Sequence, residues 1–298
     1  MPAAATCSMT AGTSALKVAV ASGKGGTGKT TVAVSLALAL SGRVPVEFVD
    51  CDVEEPNAHL FLSPRITARE PVEILVPEVD LDRCTFCGRC ATACRFGALA
   101  VVGQKVLFQP GLCHGCGLCA IACPEGAIQE LPRPIGWVEE GQVQGIRFLR
   151  GILNVGEPMA TPIVHHLKER VNPKRVTLLD APPGTGCPAI ETLRGANFAL
   201  LVTEPTPFGL HDLRLALEVT RILGVPAGVV ISKDGIGTDA LERYCIKAGI
   251  PVLLRIPMDR RIAAAYAHGI ALVEAFPEWN EAFVGLYDAA SQAAQGDP

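Results

Sequence analysis

Ser22-Gly23-Lys24-Gly25-Gly26-Thr27-Gly28-Lys29-Thr30-Thr31 is the stretch on which the reading of this chain turns. An apolar run, residues 16–21, precedes it, and an apolar helical stretch, residues 29–40, follows. The spacing GxxxxGK[ST] between a strand and a helix is that of a loop that cradles phosphate. Glycines let backbone N–H groups converge on the anion, and the helix start adds the positive end of its dipole. On this reading Gly23, Lys24, Gly25, Gly26, Thr27, Gly28, Lys29, Thr30 and Thr31 line the phosphates. Lys29 reaches the β/γ-phosphates and Thr30 ligates Mg²⁺. The bland alternative is a glycine-rich turn without a ligand. Strand, loop, Lys-Thr pair and helix standing together weigh against it.

Working outward, further β-branched runs recur at residues 44–49, 176–179, 198–203, 227–231 and 252–254. Several are continuous rather than alternating, as expected for parallel strands covered on both faces. Helical patterns at 161–171, 210–223 and 238–248 lie between them. Alternating strands and helices predict an α/β fold with a parallel sheet. Two runs end in acids: Asp50-Cys51-Asp52, and Asp180-Ala181-Pro182-Pro183-Gly184. A carboxylate at the carboxyl end of a parallel strand sits at the ligand edge of the sheet. A helix or turn cap would account for one of them, and poorly for both in register with a phosphate loop.

Twelve cysteines are present, eight of them between Cys84 and Cys123. They form two runs with a 29-residue offset: Cys84, Cys87, Cys90, Cys94 and Cys113, Cys116, Cys119, Cys123. The spacing CxxCxxCxxxC, twice, is that of bacterial two-cluster ferredoxins. In it the fourth cysteine of each run serves the other cluster. Cys84, Cys87, Cys90 and Cys123 are therefore assigned to one [4Fe–4S] cluster, and Cys113, Cys116, Cys119 and Cys94 to the second. Zinc ribbons use CxxC pairs but not such runs, and a disulfide framework conflicts with the expected cytoplasmic compartment. Arg95 stands where the motif usually has proline.

The 298 residues accommodate one large α/β domain with a smaller one. The expected division is an N-terminal mobile tail at 1–15, the phosphate-loop domain at 16–76 and 135–290, an α+β ferredoxin-like insert at 77–134, and a tail at 291–298. The opening residues lack the basic and apolar regions of a signal peptide. A net charge of −4 and 5% aromatic residues argue against a nucleic-acid surface. No apolar run of membrane-spanning length is present.

The early lysine in GKGGTGKT resembles the deviant Walker A loop of the MinD/ParA/Mrp and nitrogenase iron protein class. Together with DVEEPNAHLFL, DAPPGTGCP, VTEPTPFGLHD and IPMDRRIAAAYAHG, the chain resembles MinD-superfamily P-loop ATPases carrying an inserted two-cluster ferredoxin domain. The resemblance implies slow ATP hydrolysis and an ATP-dependent homodimer in which Lys24 reaches the partner's nucleotide. It implies that Asp52 positions the attacking water, that Asn57 belongs to the same switch, that Asp180 stands near Mg²⁺ and that Gly184 senses the γ-phosphate. The class often reads adenine with an asparagine where this chain has Ser232-Lys233-Asp234. The loop around Pro257 resembles its other base-contacting segment. Cys187, seven residues after Asp180, matches a cluster ligand of the nitrogenase iron protein; a buried or inert thiol near the dimer face is the other reading. Cys7, Cys51 and Cys245 are expected in packing or tail, and His165-His166 is not a metal pair. His211 and Asp212 are expected at a helix start.

Three functions follow. The first couples ATP-driven dimer closure to electron transfer with a redox partner. The second is ATP-dependent assembly or carriage of iron–sulfur or other metallocofactors. The third is a positioning ATPase, against which the absence of Lys and Arg from 279–298 argues, since a basic membrane anchor is missing. The first is the reading adopted.

Overall fold

The computed structural model describes residues 15–296. Of the expected N-terminal tail only Ala15 is therefore described, and its N–H donates to the Pro173 carbonyl (2.8 Å); Cys7 lies outside the described residues. The chain opens with β1 (Lys17–Ala21) and α1 (Lys29–Leu40), joined by the glycine-rich loop. Next come β2 (Val46–Asp50), the short α2 (His59–Leu62) and the long β3 (Arg65–Val79). A cysteine-bearing lobe follows: α3 (Arg89–Ala93), β4 (Leu99–Val102), β5 (Lys105–Phe108) and α4 (Leu118–Ile121). The chain returns along β6 (Ile128–Val143) and β7 (Ile146–Leu153) to α5 (Thr161–Glu169) and β8 (Val176–Asp180). It continues through α6 (Cys187–Leu193), β9 (Phe198–Thr203), α7 (Pro207–Leu223), β10 (Ala227–Asp234), α8 (Ala240–Ala248) and β11 (Val252–Pro257). It ends with α9 (Arg260–Ala267), α10 (Leu272–Ala275) and α11 (Asn280–Gln295).

The main sheet has the order β11-β10-β9-β1-β8-β2-β7-β6-β3. The strands from β11 to β7 are parallel. Residues alternate between two cores, one on each face. Val18 and Val20 pack with Phe48, Phe148 and α1 and α11, while Ala19 and Ala21 pack with Leu149, Leu179, α5 and α7. That is why the central strands read as continuous apolar runs. The ends of the parallel strands converge at the glycine-rich loop, where the acids and the lysines meet.

The sheet is mostly parallel rather than wholly so. At one edge β6 runs antiparallel to β7, and β3 antiparallel to β6. These strands escaped the sequence reading because β3 is largely exposed and carries charges and prolines, with no apolar run to mark it. The lobe is carried on this β3/β6 ribbon, paired from Arg65↔Gln142 to Val79↔Ile128. Pro77 and Pro134, the expected borders of the insert, lie inside these strands. Proline is tolerated there because β3 is the sheet's outer edge and β6 pairs with β7 only from Gly136 onward. At the other end, α11 continues to Gln295, so the tail expected from residue 291 is helical up to there.

Candidate functional site

The glycine-rich loop closes around the start of α1. Gly26 and Gly28 adopt φ of +73° and +89°, and Gly28 caps α1 in the left-handed region that other residues resist. The Lys29 side chain is buried beneath the loop, and burial lowers its pKa while Asp180 and Asp52 hold it up. Thr31 faces the neighbouring cleft. Gly184 donates its N–H to the Ser22 carbonyl (3.1 Å), which ties the segment after β8 to the loop.

Three aspartates stand at this edge in different states. Asp50 is fully buried and accepts from Ala58 N (3.1 Å) and Asp52 N (3.2 Å). Burial and the nearby Asp180 push its pKa well up. It is the anchor of the segment that bears Asp52 and Asn57, a role the sequence reading missed. Asp52 is half-buried; burial pushes it up to about 6, against the pull of Lys29. Asp180 is buried, and neither carboxylate oxygen has a hydrogen-bond partner of normal geometry. Burial pushes it up to about 7, against the Thr30 hydroxyl and Lys29, with Asp52 adding to the rise. A buried carboxylate without donors is costly unless a cation joins it. The Thr30 hydroxyl and this carboxylate therefore fit a divalent ion.

A cleft of about 290 Å³ opens beside the loop, lined by Gly28, Thr31, Ser232, Lys233, Pro257, Met258, Ile262 and Tyr266 among others. Its apolar and aromatic walls suit a flat base. Pro257 is where the sequence placed it; Ile262 and Tyr266 were missed, because only the folding of α9 over β11 brings them there. Ser232 donates its hydroxyl to the Thr203 carbonyl (3.1 Å) and is thereby engaged within the fold.

In the lobe the two cysteine runs interleave. One hollow is lined by Cys84, Cys87, Cys90 and Cys123, and another by Cys94, Cys113, Cys116 and Cys119. Gly88 and Gly117, at φ of +75° and +70°, turn the chain into α3 and α4 at equivalent points of the repeat. The Sγ atoms of Cys94 and Cys123 accept from Ala98 N and Ala127 N, each at 3.3 Å, and Cys84 Sγ accepts from Phe86 N (3.4 Å). Although burial opposes it, the amides of residues 96–99 bring the Cys94 thiol below its ordinary pKa. Among the described residues, no three His, Cys, Asp or Glu side chains are close enough to hold a single ion. The two quartets are the residues that could hold [4Fe–4S] clusters.

Other expectations meet the structure as follows. Cys51 and Cys245 are buried in the core. Cys187 is exposed on the single chain, at the first position of α6. His165 engages Glu191 and Glu169, while His166 contacts Arg170. α7 starts at Pro207, earlier than expected, and its cap is Thr206, whose hydroxyl accepts from Gly209 N (3.0 Å). His211 and Asp212 therefore lie within the helix; the Thr-Pro pair was the overlooked signal. Lys24, expected to point toward a partner chain, is ion-paired with Glu204 of its own chain.

This is a P-loop nucleotide site on a mostly parallel α/β sheet. Residues 18–273 match the CobQ/CobB/MinD/ParA nucleotide binding domain, and the chain belongs to that family. It is 33% identical, over 92% of its length and 95% of the relative's, to an uncharacterized protein of Methanocaldococcus jannaschii. An iron-sulfur cluster carrier protein of Pyrococcus abyssi is 26% identical over 86% of this chain and 79% of its own. Among solved structures, the septum site-determining protein MinD of Pyrococcus horikoshii, complexed with Mg-ADP, superposes with a TM-score of 0.58. The match is 19% identical and covers 95% of this chain and 99% of that one, a likeness of fold.

Proposed function

We propose that the chain is an ATPase that closes as a homodimer on MgATP and couples this closure to electron transfer at two [4Fe–4S] clusters in the cysteine lobe. The observation that carries the proposal is the attachment of the lobe. It stands on a β-ribbon within the nucleotide-binding sheet, with β6 and β7 separating β3 from β2, the strand that ends in Asp50. Two separate sets of ion pairs, one on each face of the sheet, cross the same strands. Glu47 of β2 pairs with Arg147 of β7, which also grips Glu140 of β6 (2.7 and 2.9 Å). Arg150 of β7 pairs with Glu139 of β6 (2.7 Å), and Arg69 of β3 reaches Glu139 (3.5 Å) and lies over the Trp137 ring (4.4 Å). Displacement at the switch acts on a stiff, ion-paired edge rather than on a flexible linker.

At the nucleotide, Lys29 and the loop amides hold the β/γ-phosphates, and Thr30 and Asp180 hold Mg²⁺. Asp52 orients the attacking water, with Asn57 in the same segment and Gly184 placed to sense the γ-phosphate. In-line transfer to water then rests on positioning and electrostatics. The cleft at Pro257 and Tyr266 takes the adenine. In the lobe, Cys84, Cys87, Cys90 and Cys123 would hold one cluster, and Cys94, Cys113, Cys116 and Cys119 the other. Clusters of this kind supply one-electron redox chemistry whose potential the surroundings set. A redox partner protein would exchange electrons with them. Cys187, exposed on the segment that follows Gly184, is assigned to the interface as a redox-active thiol; unchanged iron content and ATP response in Cys187→Ser would remove that role.

The relatives named iron-sulfur cluster carrier proteins favour a second reading, ATP-dependent cofactor assembly. Against it, both quartets close around their own hollows, which suits resident clusters. An anaerobic EPR redox titration with and without MgATP, with Lys29→Ala as control, tests the proposal. A shift in potential or spectrum that requires both MgATP and Lys29 is the expected result. Clusters indifferent to ATP but transferred to an apo-protein would replace the first reading with the second.

A further inference from the structure

Lys24 does not stand free at the mouth of the phosphate loop. Its ammonium is paired with one oxygen of Glu204, just beyond the end of β9. The other oxygen receives Lys233 Nζ at 3.0 Å, and the same Nζ donates to the Gly26 carbonyl, also at 3.0 Å. The Thr206 hydroxyl lies 3.3 Å from Glu204 Oε1. One nearly buried carboxylate thus ties the end of β9, β10 and, directly at Lys24 and through Lys233 at Gly26, the first half of the loop together. The backbone is shaped for this. Lys233 has φ of +52°, a left-handed conformation rare for a residue with a side chain, and the β10–β11 register slips between Ile231 and Asp234. The irregularity lifts Lys233 out of the strand toward Gly26.

We infer that Glu204 is an internal rival for the phosphates, holding Lys24 in cis until nucleotide draws it across to a second copy of this chain. The inference rests on the reading that MgATP closes a dimer. An ammonium in contact with Glu204 of its own chain cannot also reach a partner's nucleotide, so closure must break this pair. The design keeps the break reversible. Two cations share one carboxylate, so when Lys24 leaves, Lys233 still neutralises Glu204 and no bare buried charge remains. The polyphosphate carries more negative charge than one carboxylate and prevails when present. Glu204 therefore sets how much nucleotide closure requires, and Lys233 holds the loop in register while Lys24 moves.

The test compares wild type, Glu204→Gln and the double variant Glu204→Gln/Lys24→Met. Two measurements are made: sedimentation velocity against rising Mg·AMP-PNP, and the rate at which N-hydroxysuccinimide acetate labels Lys24 in nucleotide-free protein, read by mass spectrometry. The isosteric Glu204→Gln should label Lys24 roughly threefold to tenfold faster. It should also dimerise at a nucleotide concentration lower by a similar factor, about the range for loss of a partly buried ion pair. The double variant should lose the gain in dimerisation. Unchanged labelling in Glu204→Gln overturns the cis pair. Faster labelling with an unchanged or raised dimerisation midpoint overturns the rivalry. If neither wild type nor Glu204→Gln dimerises while labelling accelerates, the pair stands, but the dimer reading and the rivalry built on it both fall.

Discussion

At the scale of single residues, the decisive group is Asp180. Its carboxylate is buried, with only the Thr30 hydroxyl and the Lys29 charge to offset that burial, and it stands close to Asp50 and Asp52. A group whose pKa rises on folding from 3.8 to about 7 penalises the folded state increasingly over that interval. Nucleotide-free Asp180→Asn should therefore be more stable than wild type, by about 1–3 kcal/mol at pH 8. The gain should be near zero below pH 4, grow as the pH rises to about 7 and then level off. Denaturant unfolding at several pH values checks this. A gain that is independent of pH would locate the effect elsewhere. The same variant should lose Mg²⁺-dependent nucleotide binding, so here stability and function pull apart.

Elements show how local chemistry places these residues. Thr206 and Pro207 start α7 and bring Glu204 against the loop. Thr206→Ala removes the cap and should cost about 1 kcal/mol, seen as a lower urea midpoint with unchanged slope. In the lobe, the αL turns at Gly88 and Gly117 place three thiols of each run around one hollow, and the helix end delivers the fourth to the other. Cys123→Ala should thus impair the cluster of Cys84, Cys87 and Cys90 and leave that of Cys113, Cys116 and Cys119. Iron content should fall by about half, with one EPR signal kept. Loss of the signal that depends on Cys113 instead would reverse the pairing.

For the whole molecule, the question is whether the nucleotide edge and the lobe move as one body. Arg150 links β7 to Glu139 of β6, close to His59 at the start of α2. Arg150→Met keeps much of the side-chain bulk but removes the charge. It should leave ATP hydrolysis and iron content within about twofold of wild type, while reducing the ATP-dependent shift of the clusters. Amide hydrogen exchange on β3 and β6 with and without MgATP gives a second reading of the same coupling. An undiminished shift would show that the Arg150–Glu139 pair does not transmit closure.

Much of this was legible along the chain. The glycine-rich loop, Lys29, Thr30 and the acids at strand ends are local patterns, because a strand, a tight turn and a helix start within ten residues leave little freedom. The cysteine spacing was legible for the same reason, and the 29-residue repeat announces the partition that the two hollows display. The β3/β6 ribbon was not legible, since an exposed, proline-bearing edge strand has no apolar period. Nor was the Asp50 anchor distinguishable from Asp52 two residues on, because only burial separates their roles.

By itself, then, the sequence determined the phosphate loop, the parallel core and the cysteine quartets, all of which depend on spacing between near neighbours. The tertiary structure alone decided that the lobe continues the nucleotide-binding sheet, that Tyr266 walls the cleft beside the loop and that Lys24 rests on Glu204. Each of these joins residues far apart in sequence, Lys24 and Glu204 by 180 positions. Such contacts are selected by how strands stack and where charges are buried, and no periodicity in the chain records them.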